Sequence, residues 1–298
     1  MRVLVTGANG FVGKYVVNKL LQTGVEVKSL MRAEHINSSI DENVYLENFS
    51  SADEWVTILD GVDVVIHLIA RTHNVSEKGK DTCRLYKQVN VGITEALCDA
   101  INNSSVQRLV FLSSIKVNGE VTFDSPFTEN SSENPEDNYG ITKLEAEETI
   151  KLKFASTEKD YVIVRPPLIY GNELKGNLET LRAIIAKGVP LPFRCIKNSR
   201  SLISLDSLSE FLVLCVNNPK AANQTFLVSD NKNYSTSEII QKIAKDNQLK
   251  AMQFCVPSFI LSILLRSAGK SEMERKLLSN LEIDNQHAKT VMNWQPNN

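Results

Sequence analysis

Short, almost uninterrupted apolar runs alternate with helical patterns through the first two-thirds of this chain, and that alternation narrows the fold more than any other feature. "RVLVT" (2–6), "EVKSLM" (26–31), "DVVIHLI" (63–69), "RLVFLSS" (108–114) and "YVIVRPP" (161–167) read as strands. Between them lie a helix over 12–22, with Val12, Val16, Val17, Leu20 and Leu21 on one face, and another near 88–102. A strand that is apolar at every position is buried on both faces, as parallel strands are. The pattern predicts a doubly wound parallel α/β sheet with right-handed crossovers. After Tyr170 the strands thin out and Gly, Asn and Pro become frequent. Residues 1–170 therefore read as the sheet domain, with 201–230 returning to it through "QTFLVSD" (224–230). Residues 171–200 and 231–298 read as a smaller C-terminal substrate lobe, with helices at 235–247 and 257–266.

Composition excludes several classes. At 298 residues and a formal charge of -2, nothing pulls the chain as a whole toward nucleic acid. The cysteines, Cys83, Cys98, Cys195, Cys215 and Cys255, are odd in number and never in C-x-x-C spacing, which predicts reduced, buried thiols in a cytoplasmic protein. His35, His67, His73 and His287 show no metal-ligand spacing, so no metal is expected. The N-terminus has no basic stretch followed by an apolar one, and no secretory signal is expected. "FILSILL" (259–265) is too short to cross a bilayer. It reads as a helix packed on a core, with attachment to a membrane surface as the alternative.

"VTGANGFVG" sets Gly7, Gly10 and Gly13 between the first strand and the first helix. Such a turn needs a residue tolerant of positive φ, backbone free of Cβ where a pyrophosphate approaches, and close contact between helix and strand. The N–H groups and dipole of the helix then hold the phosphates. The spacing is G-x-x-G-x-x-G rather than G-x-G-x-x-G, but the strand before it and the helix after it predict a Rossmann dinucleotide site. NAD sites place an acid at the end of the second strand for the ribose hydroxyls. Here Met31 holds that position and Arg32 follows, a guanidinium able to pair with a 2′-phosphate, so NADP(H) is favoured over NAD. Asn48, after the third strand, is a candidate for the adenine.

"FLSSIKVNGE" ends the fourth strand at Ser113 and Ser114, and the carboxyl ends of such strands face the ligand crevice. The polar loop "TENSSENPEDNYG" then leads to Tyr139, with Lys143 one helical turn later on the same face. A tyrosine can move a proton at a sugar oxygen if a nearby ammonium lowers its pKa, and a serine hydroxyl can orient that oxygen.

With "VTGANGFVG", "VDVVIHLIA", "VNVGIT", "FLSSIKVNGE", "YGITKLEAE" and "VRPPLIYG" in this order, the chain resembles the extended short-chain dehydrogenase/reductases, in the epimerase/dehydratase branch that acts on nucleotide sugars. The resemblance implies Ser114, Tyr139 and Lys143 as the catalytic triad. It implies Asn90 in the active-site network, and Phe11, Val12, His67, Leu68 and Ala70 along the dinucleotide groove with Pro166 near the nicotinamide. Lys143 would also hold the nicotinamide ribose. It further implies a UDP-sugar bound through Lys116, Asn177 of "GNL" and Arg200 of "NSRSLISLD", where a surface ion pair of Arg200 with Asp206 is the alternative. A homodimer would form through the helices near 88–102 and 140–155. Residues 279–284 and "NWQP" (293–296) resemble the closing segment of the family, and the chain stops where relatives add a last helix.

The family's dehydratases carry an acidic pair just after the serine. Ile115 and Lys116 stand there, and neither can act as that base, so dehydration is not expected. Two reactions remain. The first is reduction of the 4-keto group of a UDP-linked hexose, N-acetylated and 6-deoxy, for surface polysaccharide, which Met31 and Arg32 favour. The alternative is an NAD-dependent UDP-sugar 4-epimerase. A non-catalytic NADP-binding regulator is a third reading, against which stands the presence of Ser114, Tyr139 and Lys143 together.

Overall fold

The computed structural model describes residues 1–297 apart from 32–41, 46–48, 50–51, 73–80, 172 and 175, with 42–45, 52 and 81 described by backbone alone. The strands are β1 (Arg2–Thr6), β2 (Glu26–Met31), β3 (Glu42–Tyr45), β4 (Val64–His67), β5 (Arg108–Leu112), β6 (Asp160–Arg165), β7 (Leu168–Tyr170), β8 (Arg200–Ser204), β9 (Gln224–Leu227) and β10 (Asn233–Tyr234). The helices are α1 (Gly13–Gln22), α2 (Ala52–Leu59), α3 (Asp81–Tyr86), α4 (Ile93–Asn102), α5 (Asn138–Phe154), α6 (Asn177–Ala186), α7 (Leu205–Asn217), α8 (Thr236–Asp246), α9 (Ser258–Ser267), α10 (Ser271–Leu278) and α11 (Gln286–Met292).

Among the described residues, β3-β2-β1-β4-β5-β6-β9 form a 7-stranded sheet, and every pairing in it is parallel. The order reverses beside β1, which opens the crevice between the carboxyl ends of β1 and β4. The apolar runs are continuous because both faces are covered. Val3, Val5, Val64, Ile66, Val162 and Val164 pack with α1 and α7. Leu4, Val65, Leu109, Phe111 and Ile163 pack with α2, α4 and α5 on the other face. A small sheet, β10-β8-β7, sits beside this body. It shares a third apolar cluster with α6 and α8, built on Leu178, Ile185, Leu202, Ile240 and Ile243.

Two cysteine expectations are corrected. Cys195 and Cys255 are joined in a disulfide, 60 residues apart in sequence. Of the free thiols, Cys98 and Cys215 are buried but Cys83 is exposed. Spacing along the chain could not show the pairing, because it depends on strand-like segments that meet only in space: Leu191 N–H donates to Met252 O (2.9 Å) and Arg194 N–H to Phe254 O (3.2 Å). Among the described residues no cluster could hold a metal ion, and no helix is long and apolar enough to cross a membrane.

Candidate active site

Gly7 has φ +66°, and Gly10 N–H donates to its carbonyl at 2.8 Å. A Cβ at Gly10 would lie 2.9 Å from Gly7 O, and one at Gly13 only 2.2 Å from it. The turn therefore exists only with glycine at these places. It leaves an open cradle against the N-terminus of α1, where Val12 offers no side-chain cap and the first turn carries no acid. That cradle fits a pyrophosphate. Phe11 is partly buried against the core cluster. Leu68 N–H donates to Thr6 Oγ1 (3.1 Å), which ties the chain leaving β4 to β1, and Ala70 follows, partly buried. Met31 is buried at the end of β2. Arg32 and Asn48 lie outside the described residues.

His67 is a correction. Its side chain is fully buried rather than set along the groove. Nδ1 lies 2.7 Å from Thr6 Oγ1 and Nε2 3.2 Å from Thr94 Oγ1. Thr94 Oγ1 donates to Asn90 O (2.8 Å), so it accepts from Nε2–H, and Thr6 donates to Nδ1. Burial, with the nearby Lys143 charge acting the same way, lowers the imidazole pKa to about 3. His67 is thus a neutral pin joining β1, β4 and α4.

Three elements converge at the carboxyl ends of β5 and β6. Ser113 N–H donates to Val164 O (2.7 Å) and Ile115 N–H to Pro166 O (2.9 Å), which fastens the serine turn to β6. Ser114 caps the 3₁₀ turn Ile115–Val117, its Oγ accepting from Lys116 N–H (3.3 Å). Asp137 caps α5 by accepting from Gly140 N–H at 2.7 Å. A Cβ on Gly140 would stand 2.7 Å from Lys116 O, so the glycine after Tyr139 is what lets α5 start against the serine turn. Tyr139, beside this glycine in the first turn of α5, is thereby brought to the Ser114 turn. Lys143, one turn further, is buried and donates to Leu112 O (2.7 Å), 4.2 Å from the centre of the Phe111 ring. Asn90 lies in a π-helical segment, Lys87–Gly92, before α4. Its Oδ1 accepts from Arg71 N–H (2.7 Å), and its Nδ2 donates to Thr142 Oγ1 (3.0 Å), beside Lys143. A π-helical turn at such a place is a common mark of function.

The electrostatics differ from the sequence expectation. Burial lowers the Lys143 pKa to about 7, opposed by Glu147. Burial pushes the Tyr139 phenol up, Asp137 and Tyr86 act in the same direction, and the Ser114 hydrogen bond opposes them. Desolvation is the largest of these effects and disfavours the phenolate, so accepting a proton at Tyr139 requires added positive charge in the site.

Beneath this site lies a buried ionic group that sequence reading missed. Glu147 is fully buried on α5 and accepts from Arg165 at Nε (3.0 Å) and Nη2 (2.5 Å). Ser113 Oγ also donates to Glu147. Arg165 further reaches Asn118 Oδ1 (3.0 Å) and Glu133 (2.5 Å). One signal was available: Arg165 is the lone charge inside the apolar run "YVIVRPP".

The expected sugar-nucleotide contacts divide. Lys116 is a correction, because its ammonium is taken by Glu120 (2.6 Å) and Asp137 (2.5 Å), leaving a locked pair of acids instead of a free cation. Asn177 is exposed at the first position of the ten-residue α6. Arg200 begins β8 and donates to Ser279 O (3.0 Å). Its alternative partner Asp206 pairs instead with Lys19 (2.8 Å). Burial lowers the Arg200 pKa to about 10, partly offset by Glu120. Among the described residues no carboxylate lies within ion-pair distance of Arg200.

Comparison with known proteins matches these features. The "NAD dependent epimerase/dehydratase family" matches over residues 3–229. The chain is similar to a UDP-glucose 4-epimerase of Vibrio cholerae, 36% identical over 299 residues, covering 99% of this chain and 90% of that one. It is also similar to an N-acetyl-alpha-D-glucosaminyl-diphospho-ditrans,octacis-undecaprenol 4-epimerase of Escherichia coli O157:H7, 26% identical over 281 residues, 90% of this chain and 81% of that one. Among solved structures, the fold is like that of UDP-glucuronic acid 4-epimerase from Bacillus cereus in complex with NAD, with a TM-score of 0.80 at 18% identity over 100% of this chain and 92% of that one. It is also like UDP-N-acetylglucosamine 4-epimerase from Bacillus cereus, with a TM-score of 0.78 at 18% identity over 100% and 94%. With a glycine cradle, a doubly wound sheet and a family match spanning most of its length, the chain belongs to the NAD dependent epimerase/dehydratase family of extended short-chain dehydrogenases/reductases.

Proposed function

We propose that the protein is an NAD-dependent 4-epimerase of a UDP-sugar. The observation that carries this reading is the start of α5, bearing Tyr139 and then Lys143 one turn on, packed through Gly140 against the Ser114 turn at the strand ends, in a chain that also carries the glycine cradle. The full-length similarity to a UDP-glucose 4-epimerase favours epimerisation over the ketoreduction that Met31 and Arg32 had suggested. Bound NAD would supply the hydride acceptor and donor for C4 of the sugar. Tyr139 accepts the proton of the C4 hydroxyl and gives it back. Ser114 holds the same oxygen in place. Lys143, one turn along α5, and the positive ring of oxidised NAD would supply the charge that favours the phenolate. The glycine cradle and the first amides of α1 hold the pyrophosphate, with Asn90 and Pro166 fixing the walls.

The lobe of 171–200 and 231–298 closes over the sugar nucleotide. Arg200 supports this, because a desolvated guanidinium without a carboxylate is suited to a diphosphate, and both relatives named above act on a sugar that a diphosphate carries. Asn177, at the start of α6, lies on the same lobe. Homodimer formation through α4 and α5 is part of the same reading, with Leu152 exposed on α5.

The test is to denature the purified protein and identify the released dinucleotide, then to incubate the native protein with UDP-glucose or UDP-N-acetylglucosamine and follow the 4-epimer. Retained NAD with equilibration of the two epimers supports the proposal. An empty protein that consumes NADPH with a UDP-4-keto sugar, and equilibrates nothing, would replace it with the ketoreductase.

A further inference from the structure

The small lobe carries an apolar helix face that its own core does not use. Helix α9 turns Leu261 inward, yet Phe259, Ile263 and Leu264 project outward, Phe259 and Ile263 each 63% exposed. A surface helix needs one apolar stripe, and α9 has two. The exposed face does not stand alone. Phe254, Met252 and Val189 are also exposed, on the segments that the Cys195–Cys255 disulfide and the bridges of Leu191 with Met252 and Phe254 hold together.

The charges in these segments are of one sign. Residues 187–197 and 250–270 contain Lys187, Arg194, Lys197, Lys250, Arg266 and Lys270 and no Asp or Glu, in a chain whose formal net charge is -2. All six are exposed. Among the described residues, Arg266 is the one of the six paired with an acid, Glu274 on α10 at 2.9 Å, itself mostly buried. The acids nearest in sequence, Glu272 and Glu274 on the neighbouring α10, are paired with Lys276 and Arg266, and an apolar helix face accompanied by cations is complementary to an anionic bilayer: the side chains enter the acyl boundary while the lysines meet lipid phosphates. A soluble protein partner would leave so uniform a charge unexplained, and a second copy would set like charges against each other.

We propose that α9 and the paired segments 187–197 and 250–256 form a docking face for an anionic lipid surface, which the protein occupies reversibly without spanning it. The proposal stands on this face alone and holds whichever sugar reaction the active site performs.

The test is flotation of the full chain with phosphatidylglycerol-containing vesicles and with pure phosphatidylcholine vesicles, beside sedimentation velocity without lipid. The expected result is binding to the anionic vesicles that weakens as salt is raised. The triple variant Phe259→Ser/Ile263→Ser/Leu264→Ser should weaken it by at least about tenfold. Lys197→Glu/Lys250→Glu, which touches no apolar group, should weaken binding to anionic vesicles independently of any fault in α9. The proposal is overturned if the wild-type chain ignores both kinds of vesicle. Equal binding of both variants would also overturn it. So would a dimer in solution that the triple variant dissociates, because the face would then belong to a second copy.

Discussion

The floor beneath Tyr139 and Lys143 and the outer face of α9 both mix charged and apolar groups, and they use them in opposite ways. In the floor, Glu147 and Arg165 are buried and satisfy each other, with Ser113, Asn118 and Glu133 completing the set. On the outer face the cations are exposed and the apolar side chains lie among them. Buried charge is tolerated only when every partner is present, so the floor is brittle. Exposed charge costs little to change, so the outer face can lose side chains without loss of fold.

The largest expected effect falls on chemistry. Tyr139→Phe removes the proton carrier and should reduce turnover about 10²- to 10⁴-fold. It should leave thermal stability near that of the parent, since the ring of a partly exposed residue is kept. Steady-state rates beside a melting curve check both parts, and a variant that keeps its rate would remove Tyr139 from the reaction.

The sharpest break of the comparison is Arg165→Met. It leaves Glu147 as an uncompensated buried carboxylate, and the expected cost is about 3–5 kcal/mol in denaturant unfolding. Arg165→Met/Glu147→Met should recover a large part of that cost while still lowering turnover, because Ser113 and α5 lose a shared anchor. The same measurement on Phe259→Ser should change stability by less than about 0.5 kcal/mol. If the two regions respond alike, the contrast between floor and face fails. A smaller effect belongs to the small lobe itself. Cys195→Ser/Cys255→Ser opens a link between residues 60 apart, and chain entropy sets its value near 4 kcal/mol at most. Engineered and native links often deliver less, so about 2 kcal/mol is expected, read as a lower melting temperature that reducing agent reproduces in the parent.

Sequence carried the sheet because it rests on local rules. Strands buried on two faces are apolar throughout, and "EVKSLM" and "RVLVT" coincide with β2 and β1 to the residue. The glycine cradle was readable because Gly7 is demanded by its positive φ and Gly10 and Gly13 by a close backbone approach. The rest depends on pairings across the fold. Lys116 looked like a free cation, but Asp137, 21 residues away in sequence, and Glu120, four residues on, both reach its ammonium. His67 looked like a groove residue, but β4 alternates, and His67 shares its side with Val65, toward α4, not the crevice. Gly140 could have been read better: a glycine directly after the tyrosine, opening a helix, marks a close contact that only the Lys116 carbonyl explains.

The last prediction separates two buried bases by pH. The Lys143 pKa is lowered from 10.5 to about 7 in the folded protein. Between those values the unfolded chain holds a proton that the native state has lost, so stability rises with pH across that window, by at most about 1.4 kcal/mol per pH unit for one group. The His67 pKa is lowered from 6.5 to about 3. Its contribution is complete above about pH 6.5 and is lost as the pH falls toward about 3, where the unfolded chain takes up a proton that the buried ring refuses. Lys143→Met should therefore flatten the alkaline rise and make the protein more stable near neutral pH while abolishing turnover. His67→Gln should flatten the acid limb and leave the alkaline rise intact. Urea unfolding across the two windows reads both slopes. An alkaline rise unchanged in Lys143→Met would mean that this ammonium is not desolvated in the native state. The lysine would then be an ordinary surface charge like those around α9, and the difference between the two regions would lie in Glu147 and Arg165 alone.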